Sequence, residues 1–311
     1  MNKYEIVVES SADLNSALRE KYGLYPDYIH NIIYLPDREK LADLDFSDIG
    51  EKEWFALIKK NGGKVKTSFA TLEEFKRVLE PILKEGKDVI VPALSSGISG
   101  TVNGYRNWAD ILLDDYPERK IEIVDSLRYG AGLGLLSILM GINKQEGMSF
   151  EDNIKYANIV KYTIHEAGPM DDLMFLSKSG RIKAAKAFFG SLASVQPIAD
   201  FTFDGRSEPL GTVAKDKAVN KVSLEYMLKT ATDLTNQIVI ISHSDRLERA
   251  ELFKKQLLEV CQPKEVIILS LGQTCGVNVG PGLCAYFYLG DKITETREIE
   301  VKTFNDIKAS L

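Results

Sequence analysis

The sequence predicts an α/β fold in which a parallel β-sheet carries helices on both faces. Two observations lead there. Short apolar or β-branched runs recur along the chain, and most give way to segments with apolar residues at helical spacing, which is how the βα units of a parallel sheet read. The junctions are rich in Ser, Thr and Gly, and they fall beyond the carboxyl ends of the strands, where such sheets bind ligands. A chain of 311 residues, 44% of them hydrophobic, is long enough for two modest units or one large one.

Tyr4 to Glu9 reads as a strand and runs into Ser10-Ser11-Ala12-Asp13-Leu14-Asn15, a polar turn able to cap a helix from Ser16 to Tyr22. Tyr28 to Leu35 is a second strand, and residues 36–50 a polar, acidic loop. Trp54, Phe55, Leu57 and Ile58 mark a helix over Glu51 to Lys60, ended by Asn61-Gly62-Gly63. Thr67-Ser68 is a polar turn before a helix in which Thr71 and Glu74 have capping-box spacing. Val89 to Leu94 is a buried strand, and after Ser95 to Thr101 a helix runs to Leu113 on Val102, Tyr105, Ala109 and Leu112. Lys120 to Val124 is a strand ending at Asp125-Ser126, and Tyr129 to Lys144 a helix with Gly130, Gly132 and Gly134 at its start.

Phe150 to Thr163 is helical, and the passage to a second unit falls near residues 148–168. In that unit Leu173 to Leu176 is a short strand, and Ser177 to Ile182 a turn opening a helix to about Leu192. Pro197 to Phe203 is a strand closed by a tight turn at Asp204-Gly205. Ala218 to Leu234 and Leu247 to Val260 are helices; Gln237 to Ser242, Glu265 to Leu269 and Leu283 to Leu289 are strands. Gly272 to Gly282 reads as a glycine-rich loop, and the charged last twenty residues are assigned no element.

Composition excludes some functions. A net charge of −6 does not make a nucleic-acid surface, which needs clustered Lys and Arg to neutralise phosphates. No run approaches the roughly 18 apolar residues of a membrane span. The first residues pass directly into a strand pattern, so no signal peptide is expected and the expected location is the cytoplasm. Cys261, Cys275 and Cys284 contain no C-x-x-C pair and read as reduced, mostly buried thiols.

The stretch from Asp88 to Thr101 organises the chain: strand, Ser/Gly turn, helix, with hydroxyls and free N–H groups where a helix begins. Such a place suits a carboxylate or phosphate. Four readings stand side by side. A nucleophilic serine would want G-x-S-x-G, but Gly97-Ile98-Ser99-Gly100-Thr101 lacks the last Gly, and none of His30, His165 and His243 lies in a recognisable motif. A P-loop is excluded, because G-x-x-x-x-G-K-[ST] does not occur. A hydroxyl and amide cradle for a carboxylate requires no reaction, and a plain helix cap requires no ligand. Gly130, Gly132 and Gly134 lack the final Gly or Ala of a dinucleotide fingerprint, since Leu135 and Ser137 follow; close helix packing is the commoner use of such glycines. Asp13 and Asp125 could hold a cation but more often accept backbone N–H groups; Arg181 is a surface ion pair or a ligand or partner contact; His243 is structural or catalytic.

In order, Glu9-Ser10-Ser11-Ala12-Asp13-Leu14, Thr67-Ser68, Ser95 to Thr101, Val124-Asp125-Ser126 with Gly132 and Gly134, Leu176 to Ile182, Gln196-Pro197-Ile198 and Gly280-Pro281-Gly282 resemble the DegV family of bacterial fatty-acid-binding proteins. The resemblance runs from about residue 5 to 289. It implies a Rossmann-like parallel-sheet α/β/α domain over residues 1–155, and an α/β domain with a mixed sheet over 156–311. One long-chain fatty acid would lie in a tunnel between them, with no other cofactor and no metal. Hydroxyls matching Thr67 and Ser99 would hold the carboxylate, with Ser68, Ser96 and Asn278 beside them. The acid would be presented to a separate fatty-acid kinase for phospholipid synthesis, with Arg181 facing that partner or, transiently, a membrane surface. The chain departs from the family at Glu9 (usually Asp), at Phe69-Ala70 (usually Gln-Pro) and at Asn278 (usually His); Asn donates a hydrogen bond but carries no charge at acid pH. The expectation is therefore a non-catalytic lipid carrier; the alternative is a hydrolase or transferase using Ser99 or Asp125.

Overall fold

The structure, a computed structural model, describes residues 4–171, 174–181, 195–214 and 217–310. The first half runs β1 (Tyr4–Ile6), α1 (Ser16–Lys21), β2 (Ile32–Tyr34), β3 (Glu39–Leu41), α2 (Glu51–Asn61), β4 (Lys66–Ser68), α3 (Leu72–Lys84), β5 (Asp88–Ala93), α4 (Thr101–Asp115), β6 (Ile121–Asp125), α5 (Gly130–Gln145) and α6 (Phe150–Val160). The second runs β7 (Ile164–Pro169), α7 (Met174–Ser179), β8 (Val195–Phe201), β9 (Ser207–Ala214), α8 (Lys217–Thr230), β10 (Ile238–His243), α9 (Leu247–Val260), β11 (Glu265–Ser270), α10 (Gln273–Val279), β12 (Cys284–Leu289) and α11 (Glu298–Ala309).

Strands β1, β5 and β6 form a parallel sheet in that order, the predicted α/β core. Period-two alternation sorts its side chains. Val7, Val89, Val91 and Ile123 pack with Phe75, Leu79, Tyr105 and Leu112 of α3 and α4 on one face. Ile6, Ile90 and Val124 pack toward α5 on the other. The second half builds a mixed sheet in the order β11-β10-β12-β7-β8-β9, in which only β10 and β11 pair in parallel. Its face bearing Ile240, Phe287 and Phe201 joins the same core as α5, while Ile241, Tyr286, Tyr288 and Ile198 face α8, α9 and α11.

Helix α5 therefore lies between the two sheets, against β1 and β5 on one side and β7, β10 and β12 on the other. It is apolar nearly all round because it is buried nearly all round. Its glycines serve close approach: a Cβ on Gly134 would stand 2.5 Å from the carbonyl oxygen of Ala12. That is the packing use of the Gly130-Gly132-Gly134 pattern.

Several expectations need correction. Thr67-Ser68 is not a turn but strand β4, paired antiparallel with β2 in a small β3-β2-β4 sheet separate from the parallel one. The loop expected over residues 36–50 contains β3. Leu176 lies in helix α7, not a strand. The glycine-rich segment after Gly272 folds as α10, because Gly276 lets it pack on α2, where a Cβ would stand 3.1 Å from Phe55 Cε1 and 3.2 Å from Trp54 Nε1, and tertiary contact overrides weak helix propensity. The charged C-terminal segment is α11, with Glu300, Phe304 and Ile307 buried. Strands β7 and β9 were not expected at all. The helix expected from Ile182 to Leu192 lies outside the described residues.

Candidate functional site

A cavity opens between β4, the turn before α4, the start of α5, α7 and α10, with about 690 Å³ of free space including its mouth. Thr67, Ser68, Ser99, Asn278 and Arg181 all line it. Ser96 does not: it is exposed on the outer side of its turn, where its N–H donates to Asp125 Oδ1 at 3.1 Å.

Backbone pairing sets each hydroxyl in place. Register pairs Thr67 with Ile33 and Ser68 with Ile32. Asn278 Nδ2, one turn beyond Thr274 on α10, donates to Thr67 Oγ1 at 3.2 Å and to the Thr274 carbonyl at 3.4 Å. Thr67 thus accepts one hydrogen bond and keeps its own proton for a ligand. Ser68 Oγ pairs with the Tyr34 hydroxyl at 3.2 Å. Across the cavity Ser99 Oγ lies 2.7 Å from Thr101 Oγ1 and accepts from the Thr101 N–H at 3.3 Å. That hydroxyl pair can satisfy only one of its two protons internally, so one remains to donate. Gly100 occupies the N-cap of α4 and has no side chain to cap it; Ser99 Oγ takes the Thr101 N–H, and the partial positive end of the helix lies beside these hydroxyls.

The turn carrying Ser99 is clamped from behind. Ser95 Oγ donates to the Gly205 carbonyl at 2.6 Å, joining it to the β8–β9 hairpin of the other half. A Cβ on Gly97 would stand 2.2 Å from the Asp204 carbonyl oxygen. Asp125 Oδ1 accepts from the N–H groups of Ser96 and Leu127, both at 3.1 Å, and Asp125 does not line the cavity.

The sequence reasoning passed over Asn31, Tyr129, Ser207, Thr274 and Cys275, which also line the cavity. Asn31 was the legible one, a polar residue inside an apolar strand run. Its Nδ2 donates to Glu9 Oε2 at 2.8 Å and Ser11 Oγ at 2.9 Å, and Tyr105 OH donates to its Oδ1 at 3.1 Å. Glu9 Oε1 accepts from Leu94 N–H at 2.6 Å, so the buried Glu9 ties β1 to the end of β5; burial raises its pKa against these bonds. The apolar lining is Phe69, Leu94, Ile98, Leu176 and Val279.

No histidine lines the cavity. His30 Nδ1 lies 2.6 Å from Glu74 Oε1, His165 is held between Asp200 Oδ2 and the Asp291 carbonyl at 2.7 Å each, and His243 Nδ1 accepts from Arg246 N–H at 3.4 Å. Among the described residues no group of His, Cys, Asp and Glu could hold a metal ion, and no helix is long and apolar enough to cross a membrane.

Two buried acids are shifted enough to leave a pH signature. Asp13 Oδ1 accepts from Gly272 N–H at 2.9 Å, while Oδ2 has no hydrogen-bond partner among the described residues; burial pushes its pKa from 3.8 up to about 8. Burial likewise lifts Glu166 from 4.5 to about 7. A raised acid favours the protonated fold, so this stability is complete at low pH and is lost as pH rises toward 7 and 8, with a slope of at most about 1.4 kcal/mol per pH unit for each group. Asp13→Asn should flatten the fall in denaturant midpoint between pH 5 and 8; an unchanged slope would mean that Asp13 is ionised in the fold.

The model of the DegV family, described as an uncharacterised protein family, matches residues 3–291. A DegV domain-containing protein of Streptococcus pyogenes is 28% identical over 287 residues, 92% of this chain and 98% of its own length. The structure of a DegV family protein from Thermus thermophilus, described as fatty acid binding, superposes with a TM-score of 0.80 at 22% identity, covering 93% of this chain and 99% of that one. A DegV family protein from Eubacterium eligens, loaded with heptadecanoic acid, gives a TM-score of 0.80 at 16% identity over 93% of this chain and 100% of its own. At these identities the two structures establish the shared fold. The chain belongs to the DegV family.

Proposed function

We propose that the protein binds a long-chain fatty acid, its carboxylate at Thr67 and Ser99 and its acyl chain between the sheets. The observation that carries this is the meeting of Thr67, Ser68, Ser99 and Asn278 on one cavity whose remaining lining includes Phe69, Leu94, Ile98, Leu176 and Val279. Each buried methylene contributes about 0.8 kcal/mol, so the chain supplies affinity. The head needs only enough donors to offset its desolvation. Thr67 and the Ser99–Thr101 pair each have a proton to give, the pair at a helix N-terminus. Both amide protons of Asn278 are engaged, so it acts on the ligand by holding Thr67. Fatty acids in the Eubacterium eligens relative and the description of the Thermus thermophilus one agree with this reading.

The protein is on this reading a carrier without catalysis of its own. Among the described residues no base hydrogen-bonds Ser99, and Asp125 is occupied with backbone N–H groups. The two halves, proposed as residues 1–155 and 156–311, each supply walls of the cavity. Arg181 lines it at the end shared with Thr67 and Asn278, so a partner that receives the head group meets this cation. That partner is proposed to be a fatty-acid kinase, met in the cytoplasm with transient contact to a membrane surface. With such a kinase and ATP, phosphate transfer to oleate should require this protein; transfer at the same rate in its absence would refute the presentation role. Asn278→Ala should weaken oleate binding by about 0.5 to 1.5 kcal/mol, read by calorimetry, as one orienting hydrogen bond is lost.

A further inference from the structure

One part of the cavity wall is polar for no reason that a plain acyl chain supplies. Tyr129, at the start of α5, and Ser207, at the start of β9, both line the cavity. Behind them lies Glu166 of β7, fully buried. Tyr129 OH donates to Glu166 Oε1 at 2.7 Å, and Ser207 Oγ donates to Oε2 at 2.8 Å. The neighbouring Asp200 does not share this task. It accepts from His165 Nδ1 and Tyr226 OH at 2.7 Å each, from Glu166 N–H at 2.8 Å and from Phe201 N–H at 2.7 Å. Arg128, also buried nearby, gives its protons to the carbonyls of Ile164 and Leu127 and not to Glu166.

Proton counting then fixes what this wall offers. With Glu166 ionised, both hydroxyl protons point back at the carboxylate and only oxygen lone pairs are left for a ligand. With Glu166 protonated, its O–H donates to one hydroxyl, whose own proton is then free. A ligand hydroxyl can donate in the first state and accept in the second. A carbonyl or ether oxygen is matched only in the second, and a methylene in neither. Resting on the fatty-acid reading above, we propose that Tyr129 and Ser207, backed by Glu166, form a subsite for a hydroxyl group carried on the acyl chain, and that the cavity prefers a hydroxylated long-chain acid to its plain counterpart.

The test is calorimetric binding of palmitate and of a positional series of monohydroxypalmitates to the whole protein. At least one isomer should bind about 3- to 10-fold more tightly than palmitate, the worth of one added neutral hydrogen bond. Ser207→Ala and, as a second variant, Tyr129→Phe should each shrink that advantage while palmitate affinity changes less than about twofold. Palmitate binding with every isomer equal or weaker overturns the subsite and leaves the fatty-acid reading standing. An advantage that survives both variants overturns it too, and no binding of any acid overturns both readings.

Discussion

Thr67→Val combined with Ser99→Ala should weaken long-chain fatty-acid binding by about 2 to 4 kcal/mol, or roughly 30- to 1,000-fold. The size follows from the charge of the acceptor. Hydrogen bonds to a carboxylate are worth more than neutral ones, and a head group left without donors at a desolvated site bears the cost of its own burial. Val copies the shape of Thr67 and suits a strand position, so β4 should keep its pairing with β2. Ser99 precedes α4, and its hydroxyl accepts one N–H there, that of Thr101 at 3.3 Å, so its removal costs the fold about 1 kcal/mol. The melting temperature of the unliganded double variant should therefore fall only a little below the parent's. A double variant that binds oleate as tightly as the parent would place the head group elsewhere.

Gly134→Val should destabilise the core by about 3 kcal/mol or more. Its first carbon alone would stand 2.5 Å from the Ala12 carbonyl oxygen and 3.1 Å from Leu14 Cδ2. The Ala12 backbone cannot yield cheaply. Ala12 donates its N–H back to Glu9 O at 3.0 Å, in the turn that sets Ser10 and Ser11, and α5 is gripped by both sheets. Forcing volume into a close-packed core costs about 1 to 3 kcal/mol even where side chains can adjust, and here the obstacle is backbone. Chemical denaturation should show the loss directly. Because the displaced turn carries Ser10, whose hydroxyl lies 3.0 Å from Thr274 on the cavity wall, ligand affinity should fall as well. A variant as stable as the parent would mean that α5 does not sit against the Ala12 turn.

The parallel core and its helices were legible because their signals are local and agree with one another. Val89 to Leu94 is a run only a two-sided sheet position explains, and the stripe from Val102 to Leu112 has the period of the helix it forms. The carboxylate cradle was legible in composition, through Ser99 and Thr67, but not in its architecture. Thr67-Ser68 gains its strand identity from β2, more than thirty residues away, so no local pattern announced it. Segment 273–279 looks like a loop because Gly276 and the glycines flanking it weaken a helix; Gly276 is there to admit Trp54 and Phe55. Strand β9 was hidden by Pro209 and Gly211, which sit beside a register shift in the β8–β9 ladder. Missing it meant missing Ser207, and with it the polar wall at Tyr129 and Glu166. Ser96 shows the converse error: its hydroxyl sits in the right stretch, but Ser96 is exposed and Ser95 is buried against Gly205, so neither lines the cavity.

Electron density of crystals grown with oleate would locate the head group. The account predicts an elongated ligand in the cavity, its carboxylate within hydrogen-bond distance of Thr67 Oγ1 and of Ser99 Oγ or Thr101 Oγ1, its chain running between the two sheets. A cavity that stays empty at saturating oleate, or an acid whose carboxylate turns away from those hydroxyls, would contradict it.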